Sequence, residues 1–111
     1  MDLSPEVGQK IQEIQSLEHN AQEIIMQKQT IQIELNEVSS ALNELSRSDN
    51  EVYKILSGIM VKSDKKTVIN ELEDKKKILD LRISSMEKQE AELEQKLDPL
   101  RSEIQELIGK K

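Results

Sequence analysis

The sequence predicts an all-α-dominated fold, a long antiparallel two-helix coiled coil whose helices are connected by a single β-hairpin. Three observations carry this reading. Two apolar rows of equal length each repeat in steps of three and four residues, the segment between them has no such repeat, and the composition leaves little for a conventional core. Apolar residues are 35% of the 111, against about 45–50% in ordinary domains. Charged residues reach 34%, and there is one aromatic side chain, Tyr53. Yet Leu, Ile and Val number 31, above the roughly 20% below which a charged chain stays disordered. Such a chain folds by burying narrow stripes on long helices.

The first helix is expected at about residues 5–46. Ser4 fits an N-cap, Pro5 the first helical position and Glu6 the first turn. Its row runs Val7, Lys10, Ile14, Leu17, Ala21, Ile24, Lys28, Ile31, Leu35, Val38, Leu42, Leu45, and ten of the twelve are apolar. This is a heptad pattern sustained for more than five repeats. It stops before the polar run Arg47-Ser48-Asp49-Asn50.

A hairpin is expected at about 51–63. Glu51-Val52-Tyr53-Lys54-Ile55-Leu56 and Ile59-Met60-Val61-Lys62 are strand-like, and Ser57-Gly58 supplies the turn. Apolar side chains occur at both parities, with Val52 and Leu56 on one face and Tyr53 and Ile55 on the other. Both faces therefore need covering. A lone two-stranded hairpin is marginal in water, and its open edges are templates for further pairing. The expectation is a sheet or barrel shared with hairpins of other subunits, hence an obligate oligomer; the alternative is a hairpin folded against its own helix ends.

The second helix is expected at about 65–108, capped by Asp64 and ended by Gly109. Its row is Ile69, Leu72, Lys76, Leu79, Ile83, Met86, Glu90, Leu93, Leu97, Leu100, Ile104, Leu107, again with ten of twelve apolar. Two stripes of equal length joined by a short connection bury each other most simply as antiparallel neighbours. The whole chain, 1–111, is then one domain. Lys28 and Glu90 interrupt the rows within about a turn of each other. Either they form a register-fixing pair, or each side chain reaches out of the seam separately. Pro99 either kinks the second helix or restarts it with Asp98 as cap.

Seven aliphatic residues lie off both rows: Ile11, Ile25, Met26, Ile33, Ile78, Leu81 and Ile108. Those at the chain ends gather with Leu3, Val7, Ile14, Leu100, Ile104 and Leu107 where Gly8 and Pro99 weaken the helices. An adaptable apolar tip of this kind suits contact with exposed apolar segments of other proteins; ordinary fraying of a coiled-coil end accounts for the same residues.

The residues exclude several classes of function. There are 22 acidic and 16 basic side chains, and no basic stripe for phosphates, so neither nucleic acid nor a membrane surface is an expected partner. The cluster Lys75-Lys76-Lys77 reads as a solvated helix face. No cysteine and a single histidine, His19, leave no metal set, and no cofactor is expected. Carboxylate pairs such as Glu92 and Glu94 sit on helices without a cavity to shield them, so no catalytic residues are assigned and an enzyme is not expected. No segment approaches the length of a membrane span, and the chain reads as cytoplasmic.

Particular residues add a resemblance. Ala21, Gln27-Lys28-Gln29, Leu35-Asn36-Glu37, Ala41-Leu42 and Glu44-Leu45 in the first helix, Glu51-Val52-Tyr53-Lys54 and Ile59-Met60-Val61-Lys62 in the hairpin, and Met86-Glu87-Lys88-Gln89-Glu90 in the second helix are similar to the β-class subunit of prefoldin. The resemblance covers nearly the whole chain, and the Val-Tyr-Lys entry to the hairpin is its most specific part. One departure is that Ser57 precedes Gly58 where the family often has Gly followed by Asn or Pro.

The resemblance implies a jellyfish-shaped α2β4 hexamer with α-class prefoldin subunits. Its hairpins form oligomeric β-barrels, and its coiled-coil tips hold non-native client proteins and pass them to a group II chaperonin without ATP. By position, Val52, Tyr53, Ile55, Leu56, Ile59, Met60 and Val61 would carry oligomerisation. Leu3, Val7, Ile11, Leu100, Ile104, Leu107 and Ile108 would carry client binding. The competing reading is a structural coiled-coil spacer or adaptor that binds no clients.

Overall fold

The computed structural model describes residues 5–109. Helix α1 spans Pro5–Arg47, strand β1 Val52–Leu56, strand β2 Ile59–Ser63 and helix α2 Lys65–Gly109. The predicted architecture, two long helices with one antiparallel hairpin between them, is the one observed. The suggested cap at Ser4 lies outside the described residues.

The chain divides into two compact units. One comprises residues 30–83 and contains the hairpin; the other comprises the helical stretches up to residue 29 and from residue 84 onward. In the hairpin unit Ile31, Val38, Val68 and Leu79 are buried. Lys75 Nζ on α2 lies 2.9 Å from Glu34 Oε1 on α1, which fixes the two helices as neighbours here. At the foot of the hairpin, Ser48 N donates to Glu44 O at 3.1 Å and closes the last turn of α1. The Lys65 ammonium donates to Ser48 O, placing a cation at the negative end of the α1 dipole. Asp64 caps α2 as expected, with Oδ2 accepting from Thr67 N at 3.2 Å and Thr67 Oγ1 at 3.0 Å.

In the terminal unit Val7 and Leu97 are buried. Antiparallel pairing is set here by Lys28 Nζ to Glu90 Oε1 at 2.8 Å, Arg101 Nη2 to Glu18 Oε1 at 3.3 Å and Lys10 Nζ to Glu103 Oε2 at 2.6 Å. Of the two readings of Lys28 and Glu90, pairing is the one observed. Glu90 Oε1 is enclosed, and the Lys28 ammonium lies within hydrogen-bond distance of it. That contact and the neighbouring Glu90 and Glu87 charges raise the Lys28 pKa against the opposing effect of desolvation.

The apolar rows are legible in the burial pattern. Every member of the α1 row is buried or half-buried, Lys10 and Lys28 included, and in α2 only Lys76 and Leu107 of the row are exposed. Val68, one residue before the expected start of the α2 row, is also buried, because a seam that covers more than the a and d positions draws in a flanking residue. Helix α2 continues through Pro99, so the restart with Asp98 as cap does not occur. Asp98 Oδ1 instead lies 3.8 Å from Arg101 Nη1.

Candidate assembly and client-contact sites

The hairpin is a two-residue turn with both central residues in the left-handed region, Ser57 at φ 50° and Gly58 at φ 81°. This is the primed turn whose twist matches that of paired strands. Register follows from it: Val52 faces Ser63, Tyr53 faces Lys62, Lys54 faces Val61, Ile55 faces Met60 and Leu56 faces Ile59. Alternation along each strand puts Tyr53, Ile55, Met60 and Lys62 on one face and Val52, Lys54, Leu56, Ile59, Val61 and Ser63 on the other.

Of the seven hairpin residues singled out from the sequence, Val52 is half-buried and the other six are exposed, from 43% for Val61 to 72% for Ile55. Six large apolar side chains in ten strand residues thus face outward on both sheet faces, and the sheet has only two strands. A patch of that density on so small an element is of the kind found at protein–protein contact surfaces.

The charges of the hairpin carry no such sequence signal singly, yet they are organised. Lys54 on β1 pairs with Glu71 on α2. Glu51 Oε2 accepts from the Tyr53 hydroxyl at 2.5 Å, and Glu51 Oε1 lies 3.2 Å from Lys62 Nζ. The Tyr53 hydrogen bond and then Lys62 hold the Glu51 carboxyl below its ordinary value, and the same carboxylate raises the Tyr53 pKa. Once the turn is placed at Ser57 and Gly58, Lys62 falls opposite Tyr53 and Glu51 falls two residues before it on the same face, so this cluster was recoverable from the spacing.

The candidate client residues lie in the terminal unit. Val7 is buried, Ile11, Leu100 and Ile104 are half-buried, and Leu107 and Ile108 are exposed; Leu3 lies outside the described residues. The Lys10–Glu103 ion pair brings the turns carrying Val7 and Ile11 against those carrying Leu100 and Ile104. Lys10 also lies 3.5 Å from Glu6, and its pKa is raised chiefly by the hydrogen bond to Glu103. Of the seven aliphatic residues off the rows, all but Ile11 are exposed. His19 is exposed, with Nε2 3.1 Å from Glu23 Oε1. Neither helix, over the described residues, is long and apolar enough to cross a membrane.

The sequence matches the family model described as prefoldin subunit over residues 8–111. The chain belongs to the prefoldin subunit family. It is 38% identical over 110 residues to prefoldin subunit beta of Saccharolobus islandicus, spanning 97% of this chain and 87% of that protein. Against prefoldin subunit beta of Sulfurisphaera tokodaii the identity is 37% over 110 residues, spanning 97% and 88%. The crystal structure of the prefoldin beta subunit from Thermococcus strain KS-1 superposes with a TM-score of 0.87 at 32% identity, covering 96% of this chain and 95% of that one. The likeness is thus to the β class of prefoldin subunits, and it includes the hairpin and both helices. Membership makes the chain a subunit of a prefoldin chaperone, and it makes other prefoldin subunits its assembly partners.

Proposed function

We propose that this chain is the β-class subunit of an α2β4 prefoldin that captures non-native proteins without ATP and delivers them to a group II chaperonin in the cytoplasm. The observation that carries the assembly part is the outward-facing hairpin, six exposed apolar side chains on a two-stranded sheet. Val52, Tyr53, Ile55, Leu56, Ile59, Met60 and Val61 form the oligomerisation surface, and pairing with neighbouring hairpins in a barrel covers both edges and the inward face.

Client contact is assigned to the chain-end side chains. Leu107 and Ile108 are accessible as they stand. Val7, Ile11, Leu100 and Ile104 become available when the last turns separate, a step favoured by a lysine, Lys10, occupying a seam position where an apolar residue would hold the helices more firmly. Leu3 belongs to the same assignment by its place in the sequence.

The experiment is suppression of aggregation of a chemically unfolded protein, followed by light scattering without nucleotide, using this chain assembled with an α-class partner. Suppression that weakens in the variant Ile104→Ser/Ile108→Ser, with the assembly mass unchanged, supports capture at the helix ends. Equal suppression by that variant, or none by the intact assembly, favours the structural spacer.

A further inference from the structure

A groove of about 590 Å³ opens along one edge of the helix pair in the terminal unit. It arises at Ala21, the one member of the α1 row smaller than valine, which leaves space over Leu97. Ile25, an aliphatic residue off the rows and 41% exposed, stands beside that space. The same edge continues toward the chain ends. Residues seven apart on a helix lie on nearly one line, so Ile11, Glu18 and Ile25 share a line on α1, and Glu94, Arg101 and Ile108 share one on α2. The Arg101–Glu18 ion pair sets the two lines side by side, and Ile11, Ile25 and Ile108 therefore fall on one edge. The groove on the opposite edge, about 360 Å³, is flanked instead by Asn20, Gln27, Gln89 and Lys96, with no aliphatic residue off the rows.

The apolar edge is also acidic. Arg101 Nη1 lies 3.3 Å from Glu94 Oε2 and 3.8 Å from Asp98 Oδ1, and its Nη2 lies 3.3 Å from Glu18 Oε1, so a single guanidinium faces three carboxylates. The surplus negative charge beside the groove selects the occupant. A second copy of this chain, with a net charge of −6 and the same carboxylates to present, is repelled, and so are nucleic acid and acidic segments. An aliphatic segment that carries lysine or arginine is attracted, and it finds apolar side chains to cover. Its reach fits as well. The 14 residues from Ile11 to Ile25 rise about 21 Å along the helix, which an extended chain spans with about six or seven residues.

We propose that this edge of the terminal unit takes an extended segment of a non-native protein in which aliphatic residues are interspersed with basic ones. One aliphatic side chain enters the groove at Ala21 and Ile25, and the basic side chains meet Glu18, Glu94 and Asp98. This rests on the reading of the chain ends as client contact, and it adds a surface further along the helices and a preference among clients by charge.

The test is fluorescence anisotropy of labelled peptides of about seven residues, leucine mixed with lysine, with serine or with glutamate, against this chain assembled with an α-class partner. Aggregation suppression is measured on the same samples, and far-UV circular dichroism confirms unchanged helix content in each variant. The lysine peptide is expected to bind about tenfold or more tighter than the glutamate peptide at low salt, with the gap closing as salt rises. Ile25→Ser weakens the lysine and serine peptides alike. Glu18→Gln/Glu94→Gln narrows the gap between the lysine and glutamate peptides, whereas Glu23→Gln/Glu92→Gln, the same change of charge beside the opposite groove, leaves it. Equal affinity for the lysine and glutamate peptides, an unaffected lysine peptide in Ile25→Ser, or equal narrowing by the two double variants overturns the proposal while the client reading stands on aggregation suppression. A wild-type assembly that neither binds the peptides nor suppresses aggregation overturns the client reading as well.

Discussion

Leu97→Ala tests whether the seam, and not helix propensity, holds the terminal unit together. Leu97 is 2% exposed, the most enclosed side chain among the described residues. Truncating a buried leucine costs about 2–5 kcal/mol, depending on how sealed the resulting space is. Here Leu97 borders an open groove of about 590 Å³, also lined by Ala21, Gln22, Ile25 and Arg101. The vacated volume therefore joins solvent-accessible space in place of forming a closed void, and the lower end of the range applies, about 2–3 kcal/mol. With an unfolding entropy of about 2.1 cal/mol/K per residue, a chain of this length loses about 10 °C in Tm. Leu81→Ala is the control: at 70% exposure its side chain has little packing to lose, and alanine is the better helix former, so stability changes by less than about 0.5 kcal/mol. The assay is thermal unfolding by circular dichroism at 222 nm at one protein concentration, because assembly makes Tm concentration-dependent. A Leu97→Ala Tm within about 2 °C of wild type, or equal shifts for the two variants, would refute the reasoning.

Further expectations concern the turn, the polar layer and pH. Ser57→Asn is expected to stabilise the hairpin by up to about 1 kcal/mol, since asparagine tolerates the left-handed backbone at φ 50° better than serine. Gly58→Val is expected to cost more than about 1 kcal/mol through its φ of 81° alone, because a Cβ there meets nothing within 4 Å; thermal melts of both variants check the pair. Lys28→Met and Glu90→Leu should each destabilise when made singly and recover when combined, and a double-mutant cycle in urea without coupling would contradict the pairing seen here. The depressed Glu51 pKa means that its contribution is present above the ordinary glutamate range and is lost as pH falls through the lowered value. The raised Lys10 and Lys28 values carry the opposite sign. Their contribution holds below the ordinary lysine value and disappears as pH rises through the raised one, so Tm should fall as pH drops below the ordinary glutamate range and again as it rises above the ordinary lysine value.

The fold was legible because its two signals are periodic and local. Steps of three and four residues select one helix face regardless of what packs on it, which is why the α1 row from Val7 to Leu45 is wholly buried or half-buried. The hairpin was legible from Ser57-Gly58 between two β-branched runs, and the register placed Lys28 opposite Glu90 once the helix ends were set. What escaped is contact detail that periodicity does not encode. Val68 is buried although it stands outside the strict row. Arg101 gathers Glu18, Glu94 and Asp98, partners drawn from both helices, which a long side chain reaches without any fixed spacing. The Glu51–Tyr53–Lys62 cluster depends on cross-strand register and became readable only with the turn located. Exposure also separates residues that the sequence groups together, since Val7 is enclosed while Leu107 and Ile108, assigned to the same end, are open to solvent.

The central claim is that the hairpin drives assembly while the helices fold without it. Ile55 and Ile59 stand on opposite faces of the sheet and are both exposed in the single chain, so covering each on assembly would contribute about 1–2 kcal/mol to association and almost nothing to the fold. The most direct measurement is the solution mass of wild type and of Ile55→Lys/Ile59→Lys, each with its α-class partner, alongside helix content by circular dichroism. The expected result is an assembled wild type and a dissociated variant with the same helicity. A variant that remains assembled would contradict it.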